Sequence, residues 1–437
     1  MYGCQQILIN PNAELKGVLE FICQEANSLI NCGTYYARQL YFKAHKLIGK
    51  YDLAEYKNHG HFKALYSQTA QQVLRSVYES FQSFKKLKNA FSQGKIADKP
   101  RPPKYRKSGG LALVSYSRQA LKLTNGVIRI PLGKQVKCWF GIDSFSVPMP
   151  SNLSFADIKE LRVLPRNSCF YAEFVYKLDV VDVPLDKNRA LGIDPGLNNW
   201  LTCVSNIGKS FIVDGRKLKS KNQWYNKRVA ALKKGKPQDF WSDELAAITE
   251  KRNRQMRDAI NKAARFVTNW CVANSTGTLV FGWNQGNKNS IELGKKNNQE
   301  FVQIPTARLK ARISGLCEQY GIQFVETEES YTSKTSFLDN DFLPIYGGEK
   351  PANWKPSGKR GTKKKEVAHN LGRGGYQTRD GIRINSDCNG AANILRKVAT
   401  QLGLNLVEVG KAVLTLPQRY DLFQGLSRKY RERCYGV

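Results

Sequence analysis

Acid is scarce in this chain. Only 36 Asp and Glu stand against 69 Lys and Arg, leaving a formal charge of +33 over 437 residues. The surplus is spread along the sequence rather than confined to a tail, so the composition points to a polyanionic partner, because each neutralised phosphate releases condensed counterions. Long apolar runs are missing too. None approaches the roughly 18 residues a membrane span requires, so no membrane partner is expected. Ten cysteines are present, but no two form a CxxC pair, and the four histidines (His45, His59, His61, His369) complete none. That argues against zinc, and for buried thiols in a reducing cytoplasm. The N-terminus, MYGCQQILIN, shows no basic segment followed by an apolar one, which argues against secretion.

What is present falls into two patterns. Gln6 to Ile9 reads as a strand. From Glu14 onwards Leu15, Val18, Leu19, Ile22, Ala26 and Leu29 recur at helical spacing, and a second helix is expected from about His61 to Phe91. The connector from Lys95 to Gly110, KIADKPRPPKYRKSGG, is stiffened by proline and rich in bases. Lys99, Arg101, Lys104, Arg106 and Lys107 surround Tyr105 there, a combination suited to nucleic acid. Short strands are then expected at Leu111 to Ser117, Ala120 to Leu123, Val127 to Pro131, Val136 to Phe140, Lys159 to Leu164 and Cys169 to Leu178. They suggest a small antiparallel barrel or sheet that the first strand joins, with the helices as an insertion.

From Ala190 strands alternate with helices, an α/β pattern. Ala190 to Ile193 delivers Asp194 to a turn at Pro195 and Gly196; Leu201 to Ser205 and Ser210 to Asp214 follow as a meander. Long helices are expected at Leu218 to Lys234 and Trp241 to Asn274. The second carries Arg252, Arg254 and Arg257 as candidate phosphate contacts. A strand at Thr278 to Phe281, a helix at Ile304 to Gln319 and a strand at Ile322 to Thr327 come next. A polar segment, Ser333 to Arg383, holds a basic loop at Lys355 to Lys365. A short strand at Ile384 to Asp387 then leads into a helix from Asn389 to Leu402.

Three acidic stretches with apolar approaches, LGIDPG, FVETEES and INSDCNG, lie far apart in the chain. If they converge, they supply hard oxygen ligands of the kind that hold Mg²⁺ or Mn²⁺ for phosphodiester hydrolysis. Asp194, one of Glu328 and Glu329, and Asp387 are the candidates. Glu328 is preferred if the strand before it stays regular. Taken singly, each aspartate could equally be a turn or helix cap.

LGIDPGLNNW, ESYTSKTSFLD and INSDCNGAANILRKV, in that order with basic helices between the first two, resemble the split RuvC nuclease of the TnpB family, relatives of type V CRISPR effectors. The resemblance implies a RuvC/RNase H-like domain at 186–332 and 384–437, and a wedge-type β-barrel at 1–12 and 96–185. It also implies a helical recognition domain at 13–95 and a zinc-ribbon-like basic insertion at 333–383. It implies RNA-guided cleavage of double-stranded DNA with Mg²⁺ or Mn²⁺, a guide RNA from the transposon end, a target with a short adjacent motif, and a cytoplasmic, nucleoid-associated prokaryotic protein.

Two departures from that family stand out. The family's middle glutamate would fall at Gly282, which cannot hold a metal, and the insertion contains no cysteine. Either a glutamate at 328 or 329 substitutes, or the protein is a guided DNA-binding repressor without nuclease activity. An actin-like ATPase shares such strand ends but needs a glycine-rich phosphate loop, for which Asp214 to Lys217 is a poor candidate. A guide-independent recombinase is a further alternative.

Overall fold

The computed structural model describes residues 1–284, 305–348, 351, 353–361, 372 and 374–423. The chain divides into two units, Met1–Leu178 and Asp179–Val437.

In the first unit β1 (Tyr2–Ile9) pairs antiparallel with β7 (Cys169–Lys177). β7 pairs with β6 (Ile158–Arg166), and β6 with β2 (Val114–Ser117). The first strand therefore closes onto a partner more than 160 positions later, Tyr2 opposite Lys177. A separate three-stranded sheet is formed by β3 (Lys122–Thr124), β4 (Val127–Pro131) and β5 (Ser144–Pro148).

Helix α1 (Ala13–Ala44) starts where the Asn12 side chain accepts the Leu15 amide, and it buries Val18, Leu19, Ile22, Ala26 and Leu29 as the spacing predicts. The single helix expected from His61 to Phe91 is two: α2 (Gly60–Lys63) and α3 (Ser67–Ser92), broken at Ala64–Tyr66. The strand expected at Val136 to Phe140 is instead helix α4 (Lys134–Phe140). Gly133 caps its start and Gly141, at φ 70°, ends it. Val136 and Phe140 lie one helical turn apart and face inward, while Trp139 is exposed, a short pattern that helix and strand share.

In the second unit a six-stranded sheet runs β12-β11-β8-β9-β10-β16. β8 (Asp186–Pro195), β9 (Asn199–Ser205) and β10 (Lys209–Asp214) form an antiparallel meander. β11 (Thr276–Gly282) and β12 (Gln323–Thr327) then add parallel on one side, and β16 (Gln418–Tyr420) adds parallel to β10 on the other. Alternation along the strands sorts their residues onto two faces. Leu191, Ile193, Leu279 and Phe281 pack with α6 (Asp243–Ala273) and α7 (Thr306–Gln319). Ala190, Val204 and Val280 pack with α8 (Ser386–Leu402). Helix α5 (Arg216–Lys233) precedes α6.

Gly192 makes the second face possible: a Cβ there would stand 2.6 Å from Leu395 Cγ and 2.7 Å from the Ala391 carbonyl, so only glycine lets α8 settle on β8. Two strands from the insertion, β13 (Lys359–Arg360) and β14 (Gly375–Gln377), join β15 (Arg383–Asn385) in a small antiparallel sheet. The basic loop expected at Lys355 to Lys365 is thus partly an ordered strand, and its residues 362–365 lie outside the described ones, as do residue 304 of the expected helix and Cys434.

Candidate nuclease site

Asp194 is the ninth residue of β8, opposite Thr202 of β9, and shares the face of Ala190 and Gly192. Its carboxylate therefore points at α8, where Gly390 receives it. A Cβ at Gly390 would lie 2.6 Å from Asp194 Oδ2, so the absent side chain is what admits the acid. The residue keeps some solvent-accessible surface, but protein atoms crowd its carboxylate. Burial is the largest cause that pushes its pKa well above the usual carboxylate range. Charge repulsion from Glu329 and Asp387 adds to it, and Arg360 opposes.

Asp194, Glu329 and Asp387 are thus electrostatic neighbours, drawn from the end of β8, the segment after β12 and the start of α8. Asp387 does not end a strand as expected. It lies in the first turn of α8, whose cap is Asn385, and the Asn385 side chain accepts the Asp387 and Cys388 amides. Asn199 Nδ2 donates to Asp387 Oδ2 at 2.7 Å, and an Arg360 guanidinium nitrogen lies 3.2 Å from Oδ1. Arg419 from β16 in turn donates to Asn199 at 2.8 Å and to Asp214 at 3.1 Å, and Arg216 donates to the same Asp214 carboxylate. The roles of Asn199, Arg360, Gly390 and Arg419 escape sequence reasoning; the legible hints are Asn199 inside LGIDPGLNNW and Gly390 inside INSDCNGAANILRKV.

Glu328, the preferred glutamate, is engaged elsewhere. Its carboxylate is taken by Lys397 of α8 and accepts the Ser330 amide at 2.8 Å. Burial works to raise its pKa, but those partners outweigh it and hold the carboxyl below the usual range. The condition attached to the preference, a regular strand, is not met either, because β12 stops at Thr327.

Gly282 is buried at the end of β11, opposite Thr327. Phe281 aligns with Ile193, so Gly282 stands beside Asp194. A Cβ there would meet Ile394 Cδ1 at 2.5 Å and the Ile193 carbonyl at 3.2 Å. The methyl of Ile394 fills the space that a side chain at 282 would need.

The YTS segment is held by the polar side of α8. Asn389 accepts the Phe337 amide and donates to the Thr335 carbonyl, and Asn393 donates to the carbonyls of Thr332 and Thr335. Both asparagines are fully buried and, four residues apart, share one face of α8 as a buried polar anchor, while Asp387, two residues before Asn389, lies on a different face.

Of the basic candidates, Arg106 is engaged by the fold. It donates to Asn27 and to the Leu111 carbonyl, while Asn27 and Asn31 bind the backbone of Lys107 and Arg106. Lys99, Arg101, Lys104, Tyr105 and Lys107 are exposed, with Arg38 stacked over the Tyr105 ring at 5.3 Å. Arg252 donates to Asn222 and lies over Tyr225, Arg257 binds the buried Glu250, and Arg254 is exposed. Arg252, Arg257 and Arg308 line an open cavity of about 400 Å³ with Tyr225 and Asn253.

A meander of three strands continued by two parallel ones, with an acid near the end of the first and helices on both faces, is a RuvC/RNase H-like α/β fold. Among solved structures the chain is similar to the protein in a Cas12f1–sgRNA–target DNA complex, with a TM-score of 0.55 at 15% identity, over 88% of this chain and 83% of that one. It is also similar to the mini-RNA-guided endonuclease CRISPR-Cas_phi3, with a TM-score of 0.45 at 10% identity, over 95% and 94%. No curated protein sequence matches it. Residues 173–287 match the family OrfB_IS605, described as a probable transposase, and the resemblance to the TnpB family read from the motifs is borne out.

Proposed function

We propose that the protein is an RNA-guided DNA endonuclease whose site is formed by Asp194, Glu329 and Asp387. The observation that carries this is a crowded Asp194, admitted by the glycine at 390, near enough to Glu329 and Asp387, from two other segments, for their charges to act on it. Like charges gathered where desolvation already penalises them are costly unless a cation compensates. The donors are hard oxygens, which fit Mg²⁺ or Mn²⁺. Two such ions would be held by Asp194, Glu329 and Asp387, and when bound they supply Lewis-acid stabilisation of the attacking and leaving oxygens. The chain's own contribution is positional. Asn199 and Arg360 fix the Asp387 carboxylate, Gly390 admits Asp194, and the Asn389 and Asn393 anchors hold the segment that follows Glu329.

The protein named in the solved complex is bound to a guide RNA and target DNA. The same partners for this chain agree with its +33 charge. Arg252 and Arg308 at the 400 Å³ cavity, the exposed Arg254 and the exposed bases beside Tyr105 are the proposed phosphate contacts, and the guide would come from the transposon end.

A second reading, guided binding without cleavage, draws on Gly282, whose space Ile394 fills. An ATPase is disfavoured because the Asp214 to Lys217 turn is closed by the Arg216 and Arg419 pairs rather than opened towards a phosphate. The test is to sequence the RNA that copurifies with the chain and supply it with Mg²⁺ and a plasmid library. Cleavage that Asp194→Ala abolishes, with RNA-guided binding retained, is the expected result. Unchanged cutting by that variant overturns the site, and guided binding without cutting by the unmutated protein establishes the second reading.

A further inference from the structure

The first unit holds a cluster of side chains able to ligate a metal. Cys32 on α1, His59 and His61 each bring one ligand atom to within 4.8 Å of the others. The CxxC pattern of sequence motifs passes over them, because the donors are a lone thiol and an H-x-H pair 27 positions later. We propose that Cys32, His59 and His61 form a zinc site that pins the segment around α2 to helix α1.

The local structure brings these groups together. Gly33, beside Cys32, is buried, and a Cβ there would press on Leu53 and Val77 at 3.3 Å. Its absence lets the segment after α1 fold back closely. Tyr56 then donates to the Cys32 carbonyl at 3.3 Å, and His59 caps α2, which places both imidazoles over α1. The two rings lie with centroids 5.0 Å apart.

Cys32 Sγ and His59 Nε2 are 3.9 Å apart. Tetrahedral bonds of ~2.3 Å to sulfur and ~2.0 Å to nitrogen put such donors about 3.5 Å apart, so this pair needs to contract by only a few tenths of an ångström. Glu25, two helical turns before Cys32 on α1, binds His61 Nδ1 at 2.8 Å. A carboxylate on one ring nitrogen fixes the imidazole and raises the basicity of the other, the arrangement common behind metal-bound histidines. Thiolate with two imidazoles selects zinc over the hard ions suited to the acidic site, and the fourth position is left to water. Coordination through His59 Nε2 places the ring proton on Nδ1. It gives up the 3.2 Å contact from the His61 amide, a hydrogen bond that the metal replaces. The Cys32 proton leaves to solvent on binding.

The probe is Co²⁺ added to the chelator-stripped full-length protein. One equivalent is expected to produce thiolate-to-cobalt charge transfer and tetrahedral d–d bands, and Zn²⁺ is expected to displace them. Cys32→Ser is expected to lose the charge-transfer band, and His59→Ala with His61→Ala to lose tight binding, while Asp194→Ala keeps the full spectrum. Zn²⁺ is expected to raise the thermal midpoint of the stripped protein by several degrees and to leave Cys32→Ser unmoved. The metal-free midpoint of Cys32→Ser should match that of the metal-free parent, which separates loss of a ligand from failure to fold. No charge-transfer band in the parent, or an undiminished band in Cys32→Ser, overturns the proposal.

Discussion

The two adjacent glutamates illustrate how far a single side chain's direction is legible. Parity along a strand says that Glu328 and Glu329 point apart; it does not say where the strand stops, and the preference for Glu328 requires that it continue. Termination at Thr327 and the presence of Lys397 decide instead. Glu329→Gln is expected to lower guided cleavage on the order of 100-fold or more, since loss of a group that orients a metal already costs 10 to 100-fold. Glu328→Gln should leave cleavage nearly intact and reduce stability.

The pH dependence of that stability follows from the ion pair. Lys397 is almost fully buried, and its pKa is pushed down by burial with Glu328 opposing, while the Glu328 carboxyl is held below its usual range. A lowered carboxylate contributes stability above its unfolded value and loses it as pH falls through the folded one. Lys397→Met should therefore destabilise at neutral pH by about 2 kcal/mol, less than a fully buried pair because Glu328 is partly exposed. The deficit should shrink on acidification below the ordinary glutamate range. Thermal melts of both variants from neutral to acidic pH check this, and a deficit independent of pH would count against the pair as its cause.

At the scale of elements, the sequence shows best where a helix or strand has one apolar face. The stripes of α1, α3 and α6, the meander of β8 to β10 and the first strand's membership of the sheet with β7 were all readable from periodicity. Short elements set by their caps were not: α4 between two glycines passes for a strand, and β15 hands over to α8 one residue before Asp387, which moves that acid onto a helix. Nor was the small sheet of β13 to β15, whose pairing joins residues of an insertion with almost no apolar pattern.

The site divides along the same line. Asp194 and Asp387 announce themselves through their motifs, whereas Arg360, Arg419 and Gly390 act through contacts that only the folded chain creates. The asparagines of α8 lie between these cases: their motif is visible in the sequence, but their role is not. Asn393→Leu should take the buried donor from the Thr332 carbonyl and leave the Thr335 carbonyl with Asn389 alone, at a cost of about 1 to 3 kcal/mol. Because that segment follows Glu329, cleavage should fall together with stability. Urea denaturation measures the first and guided cleavage at reduced temperature the second. A stable variant that cuts normally would show that the anchor is dispensable.

For the whole molecule the governing quantity is charge, and the fold sorts the bases that hold the protein together from those open to a polyanion. Arg106 and Arg257 spend their guanidinium groups on Asn27 and the buried Glu250. Arg254 and Arg308 are exposed, and Arg308 lines the cavity that Arg252 and Arg257 share. Substitutions in the two sets should therefore separate. Arg254→Gln with Arg308→Gln should keep the thermal midpoint and weaken nucleic-acid binding, because each phosphate left without its neutralising base takes roughly 0.7 to 0.9 from the slope of log affinity against log salt. For the pair the slope should flatten by between about 1.4 and 1.8. Arg257→Gln should instead lower the midpoint, since it removes a charge that compensates Glu250, which is only 1% exposed. Binding titrations at several salt concentrations, set beside melts of the same preparations, read both effects. An unchanged slope in the double variant would remove this cavity from the nucleic-acid path and leave the exposed bases around Tyr105 as its phosphate-binding surface.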